Sequence, residues 1–243
     1  MLQLDSPSRI SLENLTIKKS TISNTKVAPV TSHISSWLTP LAYAVGRLVL
    51  PFYFGQIKII GQENLPTTGP VILAPTHRSR WDPLLVAYAT GRLVTSRDLR
   101  FMVSVDEVRG IQGWFIRRLG GFPVDTERPA IATLRHGVNI LQQREVLVIF
   151  PEGGNLHENR MRLNQLQPGL ARLALQAESS QPNLDIKIVP ISICYSHPAV
   201  PWRCQVKICI GSPLQAADYT ASSLKQNAKN LTADLETALK ELS

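Results

Sequence analysis

His77 and Asp82, with Arg78 and Arg80 between them, are the residues of this chain best suited to chemistry. An imidazole that donates one ring N–H to a carboxylate is fixed in one tautomer, and its other nitrogen is then a free base. Such a base can take a proton from a substrate hydroxyl. On one continuous helix, five residues at ~100° each would set the two side chains ~140° apart, whereas helix neighbours are three or four apart. A turn must therefore bring them together. No G-x-S-x-G elbow occurs in the sequence, so the pair is read as activating a hydroxyl on a substrate rather than a serine of the protein. Taken alone, the spacing also fits an ordinary loop histidine beside a helix cap.

The elements around the pair say how it is positioned. Val71-Ile72-Leu73-Ala74-Pro75 is an aliphatic run that reads as a buried strand delivering His77 to a loop. Asp82 suits a helix N-cap and Pro83 a first helical position, so residues 84 to 90 should be helical, with Gly91 to end the helix. Chemistry at the carboxyl end of a strand is usual in α/β sheets. A second strand, residues 145 to 150, repeats the logic by releasing Pro151-Glu152-Gly153-Gly154-Asn155 into a loop. The glycines there allow backbone N–H groups close to a ligand, which suits an anion or oxyanion site as well as a plain turn.

Further strands are expected at residues 57 to 60, edge-like with Lys58, at 99 to 104, at 122 to 125, at 186 to 193, interrupted by Pro190, and at 206 to 210. Helical spacing appears in the short apolar segment from Gly113 with its basic pair Arg117 and Arg118, and from Pro129 to about residue 143. It recurs after Pro168 and in a C-terminal run carrying Leu224, Ala228, Leu231, Leu235, Ala238 and Leu242. These elements predict an α/β fold: a mostly parallel central sheet flanked by helices, with an N-terminal interfacial helical segment.

That segment, residues 34 to 56, follows a Ser-, Thr- and Asn-rich stretch, residues 1 to 33, expected to be a mobile arm without a secretory h-region. From Trp37 to Phe54 the only charge is Arg47. Thr39-Pro40 reads as a helix start and Pro51 as its limit. The eleven or so residues between would be ~16 Å long, about half the ~30 Å of a bilayer core. The segment is therefore expected to lie at a membrane interface, with a helix buried on the domain as the alternative.

With 243 residues, 44% of them hydrophobic and 18% charged, the chain suits one folded domain. A net charge of +8 favours an anionic partner. Arginines gather between Arg78 and Arg128, near the chemistry rather than on a tail. Aromatic residues at 6%, without interleaved basic-aromatic motifs, argue against nucleic acid. Cys194, Cys204 and Cys209 lack C-x-x-C spacing and read as small core residues of a reducing compartment.

Four blocks now stand in order: His77 with Asp82; Gly121-Phe122-Pro123-Val124-Asp125 with Arg128 beyond; Phe150-Pro151-Glu152-Gly153; and Val189-Pro190-Ile191. Their order resembles the glycerolipid acyltransferase family typified by 1-acylglycerol-3-phosphate O-acyltransferase. The resemblance implies an acyltransferase domain over residues 57 to 243. It also implies transfer of an acyl chain from an acyl carrier protein or coenzyme A thioester to a lysophospholipid hydroxyl. Carried across, His77 is the general base and Asp82 orients it. Phe150, Pro151, Glu152 and Gly153 would shape the acceptor site, and an arginine such as Arg80 or Arg128 would hold its phosphate, with Arg117 and Arg118 as substitutes. Two departures bear on the acceptor and leave another lysolipid or a non-phosphate acceptor as the alternative: Gly154 and Asn155 stand where a Thr or Ser and an Arg are common, and Thr126 and Glu127 separate Asp125 from Arg128.

No cofactor and no metal are expected. A metal-dependent hydrolase built on His77, Asp82, Glu152 and His157 lacks a known ligand spacing. A non-catalytic basic protein that binds membrane or nucleic acid is the other reading. The expected location is the cytoplasmic face of a membrane, peripheral or monotopic, beside an anionic surface.

Overall fold

A helix, α1 (Leu38–Tyr53), leads into an alternation of strands and helices: β1 (Gln56–Ile60), β2 (Val71–Pro75), α2 (Asp82–Thr90), α3 (Arg92–Thr95), β3 (Leu99–Ser104), α4 (Gly110–Arg118), β4 (Gly121–Val124), α5 (Ile131–Gln142) and β5 (Val146–Val148). The chain continues through α6 (Gly169–Ser180), β6 (Lys187–Tyr195), β7 (Gln205–Ile210), β8 (Leu214–Gln215) and α7 (Leu224–Glu241). The computed structural model describes residues 30, 32–125, 130–153, 165–181 and 183–243.

The strands form one sheet in the order β1-β7-β6-β2-β5-β3-β4, with β8 also on β6. From β6 to β4 every pairing is parallel; β7 and β8 run antiparallel to β6, and β1 runs parallel to β7. The α/β, mostly parallel sheet flanked by helices is thus observed, and β1 lies on the sheet edge where Lys58 suggested it. β2 is buried along its whole length because both of its faces are covered. Val71 and Leu73 face one way, against Leu50 of α1 and Leu85, Val86 and Ala89 of α2. Ile72 and Ala74 face the other, against α5, α6 and α7.

Two prolines correct the sequence reading. β6 is not interrupted at Pro190. One edge of β6 is shared between two partners, β8 opposite Lys187 and Ile188 and β7 opposite residues from Ile191 onward. Pro190 falls in the gap, where its missing N–H leaves no ladder bond unmade, while its carbonyl accepts from Gly211 N–H. α1 likewise does not stop before Pro51, which sits inside its last turn, and it spans 16 residues rather than about eleven. It starts earlier too, with the Ser35 carbonyl accepting from Thr39 N–H. Its length is therefore ~24 Å, still short of the ~30 Å of a bilayer core. Among the described residues no helix is long and apolar enough to cross a membrane.

α1 is docked on α2 and α3 at Gly91, where an added Cβ would lie 2.4 Å from the Tyr43 ring. Burial pushes the Tyr43 phenol up to about 12. The other side of α1 stays open: Leu41, Val45, Leu48 and Phe52 are 50 to 77% exposed and recur at helical spacing. Of the expected N-terminal arm only residues 30, 32 and 33 are described, the rest lying outside. Ser32 O accepts from Arg100, and His33 pairs through its backbone with Arg117 and Gly120.

Candidate active site

The three middle strands place the site together. Pro75 at the end of β2 is level with Ile191 of β6, and Ile149 N–H, just past β5, donates to Leu73 O. All three strands run the same way, so their carboxyl ends deliver His77, Glu152 and Tyr195 to one edge of the sheet. Thr76 fixes the exit of β2: its N–H donates to Ile191 O and its Oγ1 accepts from Ile193 N–H, each at 2.9 Å.

His77 Nδ1 lies 3.0 Å from Asp82 Oδ2. The turn that joins them is closed by Asp82 N–H donating to Ser79 O. Asp82 does not cap α2 as its position suggested; it is the first residue of that helix, and its carboxylate turns back into the loop. There Oδ2 also accepts the Arg78 N–H at 2.5 Å and the Ser79 N–H at 2.7 Å, while Oδ1 accepts the Tyr195 hydroxyl at 2.5 Å. Asp82 is fully buried, and four donors make an ionised carboxylate tolerable there. Being an acceptor, it receives a hydrogen bond from His77 Nδ1–H, which selects the tautomer whose Nε2 lone pair is free. The imidazole is 23% exposed and lies against Phe150, with ring centroids 4.3 Å apart.

Glu152 is placed behind this surface. Its side chain is fully buried; it accepts the His77 N–H at 3.1 Å, and Arg78 Nη1 donates to both of its oxygens at 2.7 Å. It therefore shapes the site by tying the two loops together. Phe150, Pro151 and Gly153, by contrast, line a cavity of about 1310 Å³ that also takes in His77. Three arginines line it among the described residues: Arg47, Arg78 and Arg80. Arg78 is committed to Glu152, and Arg47 sits 5.0 Å over the Tyr88 ring. Arg80 has a side chain 78% exposed and a long 3.8 Å approach to Glu107. Arg118 stacks on Trp114, while Arg128 and His157 lie outside the described residues.

Tyr195 is the side chain of this network that sequence reasoning passed over, and for Arg78 the sequence shows a basic residue beside the pair without its tie to Glu152. Tyr195 follows the expected strand by two positions, and the one available signal was a polar ring at the end of an apolar run.

A family model described as Acyltransferase matches residues 56–194, more than half of the chain. The chain belongs to the Acyltransferase family. All four sequence blocks of this acyltransferase-family chain lie inside the match. It is 28% identical over 172 residues to the 1-acyl-sn-glycerol-3-phosphate acyltransferase of Streptococcus pneumoniae, covering 68% of this chain and 56% of that protein. With the enzyme of the same name from Bacillus subtilis it shares 26% identity over 196 residues, 77% of this chain and 88% of the relative. Among solved structures it is similar in fold to the 1-acyl-sn-glycerophosphate (LPA) acyltransferase of Thermotoga maritima, with a TM-score of 0.64 and 18% identity, covering 84% of this chain and 79% of the other.

Proposed function

We propose that this acyltransferase-family protein moves a fatty acyl group from a thioester, of acyl carrier protein or coenzyme A, to the free hydroxyl of lysophosphatidic acid at a membrane surface. The observation that carries the reading is the His77–Asp82 contact, which leaves a base facing a cavity large enough for a lipid chain. His77 Nε2 takes the hydroxyl proton as the oxygen attacks the thioester carbonyl. The C–S bond then breaks, and the leaving thiolate takes the proton back from the imidazolium, so the base is regenerated without an acyl-enzyme. Incubating the purified protein with a labelled thioester and a panel of lysolipids tests this directly. Labelled phosphatidic acid is the expected product, and transfer to none of the acceptors would overturn the reading.

Arg80 is assigned to the acceptor phosphate, because it lines the cavity and is the arginine there with the loosest pairing. A charge-assisted hydrogen bond of about 1.5–3 kcal/mol corresponds to roughly ten- to a hundredfold in binding. Arg80→Ala should accordingly raise KM for lysophosphatidate by about tenfold or more. KM for an uncharged monoacylglycerol should stay as it was, and equal effects on both acceptors would remove Arg80 from this role.

Membrane contact is assigned to the open side of α1. Phe52, 74% exposed, meets Trp202 of the β6–β7 loop edge-on at 4.9 Å, and Trp202 is itself 52% exposed. Aromatic rings with Arg47 and Arg203 close by in the chain suit an anionic head-group layer. Replacing Phe52 and Trp202 together by serine should weaken sedimentation with anionic vesicles by about tenfold, and salt should weaken that of the unaltered protein. Undiminished binding of the double variant would place the contact elsewhere.

A further inference from the structure

We propose that Tyr195 is a positioning residue of the acyl transfer, its hydroxyl holding the Asp82 carboxylate in the orientation that meets His77. The role rests on the transfer reading given above. The two oxygens of Asp82 are treated differently. Oδ2 faces three N–H donors on one side, from His77, Arg78 and Ser79, while Oδ1 meets the Tyr195 hydroxyl at 2.5 Å. A carboxylate turns readily about its last torsion. With Tyr195 in place, a turn away from this arrangement would have to break that short bond inside a fully buried site.

The fold makes the contact possible. β6 runs on past Ile191, the partner of the last β2 residue, so its final residue reaches over the loop that carries Asp82. Phe54, just after α1, packs on the Tyr195 ring, with centroids 6.3 Å apart. Burial first, and then the Asp82 charge, push the Tyr195 phenol well above its ordinary range, so it remains a donor at any working pH. The titratable groups that face it are Asp82 and, from the β6–β7 loop, Cys204; those that face His77 are Asp82 and, through its backbone N–H, Glu152.

Tyr195→Phe keeps the ring and its packing. It should lower kcat by about tenfold and leave both KM values within about twofold. The second readout needs no activity: the His77 Nδ1–H proton signal, identified by its loss in His77→Gln, reports the contact with Asp82, and in the variant it should move upfield and exchange faster with water. A fall in kcat with that signal unmoved would make Tyr195 merely structural and overturn the proposal, as would an unchanged kcat. Should the unaltered protein transfer no acyl group, the transfer reading fails, and the Nδ1–H signal alone still decides whether Tyr195 holds the pair.

Discussion

His77→Ala is expected to lower acyl transfer by a factor of ~10² or more, the low end of what a positioned base contributes, with KM for the thioester little changed. The fold should hardly notice. The imidazole is partly exposed, and Asp82 keeps the Arg78 N–H, the Ser79 N–H and the Tyr195 hydroxyl when it is gone. Losing one hydrogen bond of about 1 kcal/mol would move the melting temperature of a chain this long by about 2–4 °C. Asp82→Asn separates the two properties. The amide would settle with its oxygen on the His77, Arg78 and Ser79 N–H groups and its nitrogen donating to the Tyr195 hydroxyl oxygen. Neutral hydrogen bonds then replace charge-assisted ones in a buried site, so this variant should lose activity and also melt lower. Initial rates and calorimetry on the two variants check this. Full turnover in His77→Ala would move the base to another residue.

The parts of this site that the sequence announces are those that local pattern controls. Aliphatic runs ending at Pro75 and Phe150 carry strand periodicity within a few residues, and each is followed at once by its polar group. The distance from His77 to Asp82 is set by one turn. Strand order is different in kind, because it decides which chain ends meet and no window of sequence contains it. Arg78 and Glu152 are 74 residues apart, and Tyr195 and Asp82 are 113 apart. Each pair meets only because β2 lies between β5 and β6. Proline rules misled for a related reason. Pro190 is harmless where β6 changes partners, which is a tertiary context, and Pro51 sits in the last turn of α1, where the helix is about to end.

Arg78→Ala should be the most destabilising single change near the site. It strips the guanidinium from a carboxylate that is fully buried, and removing one partner of a buried pair costs about 3–5 kcal/mol. For a chain of this size that is a fall in melting temperature of roughly 6–20 °C. Activity should fall with it at temperatures where the variant is still folded, because Glu152 also accepts the His77 N–H, and a carboxylate that shifts to find water drags the base with it. Arg78→Met with Glu152→Gln distinguishes the two losses. Removing both charges together takes away the desolvation penalty as well as the attraction, so most of the stability should return. The rate should not, since a neutral amide holds the His77 backbone less firmly than a carboxylate. If the double variant recovered both, the pair would be a structural staple alone; if Arg78→Ala melted like the unaltered protein, Glu152 would already be balanced by something other than Arg78.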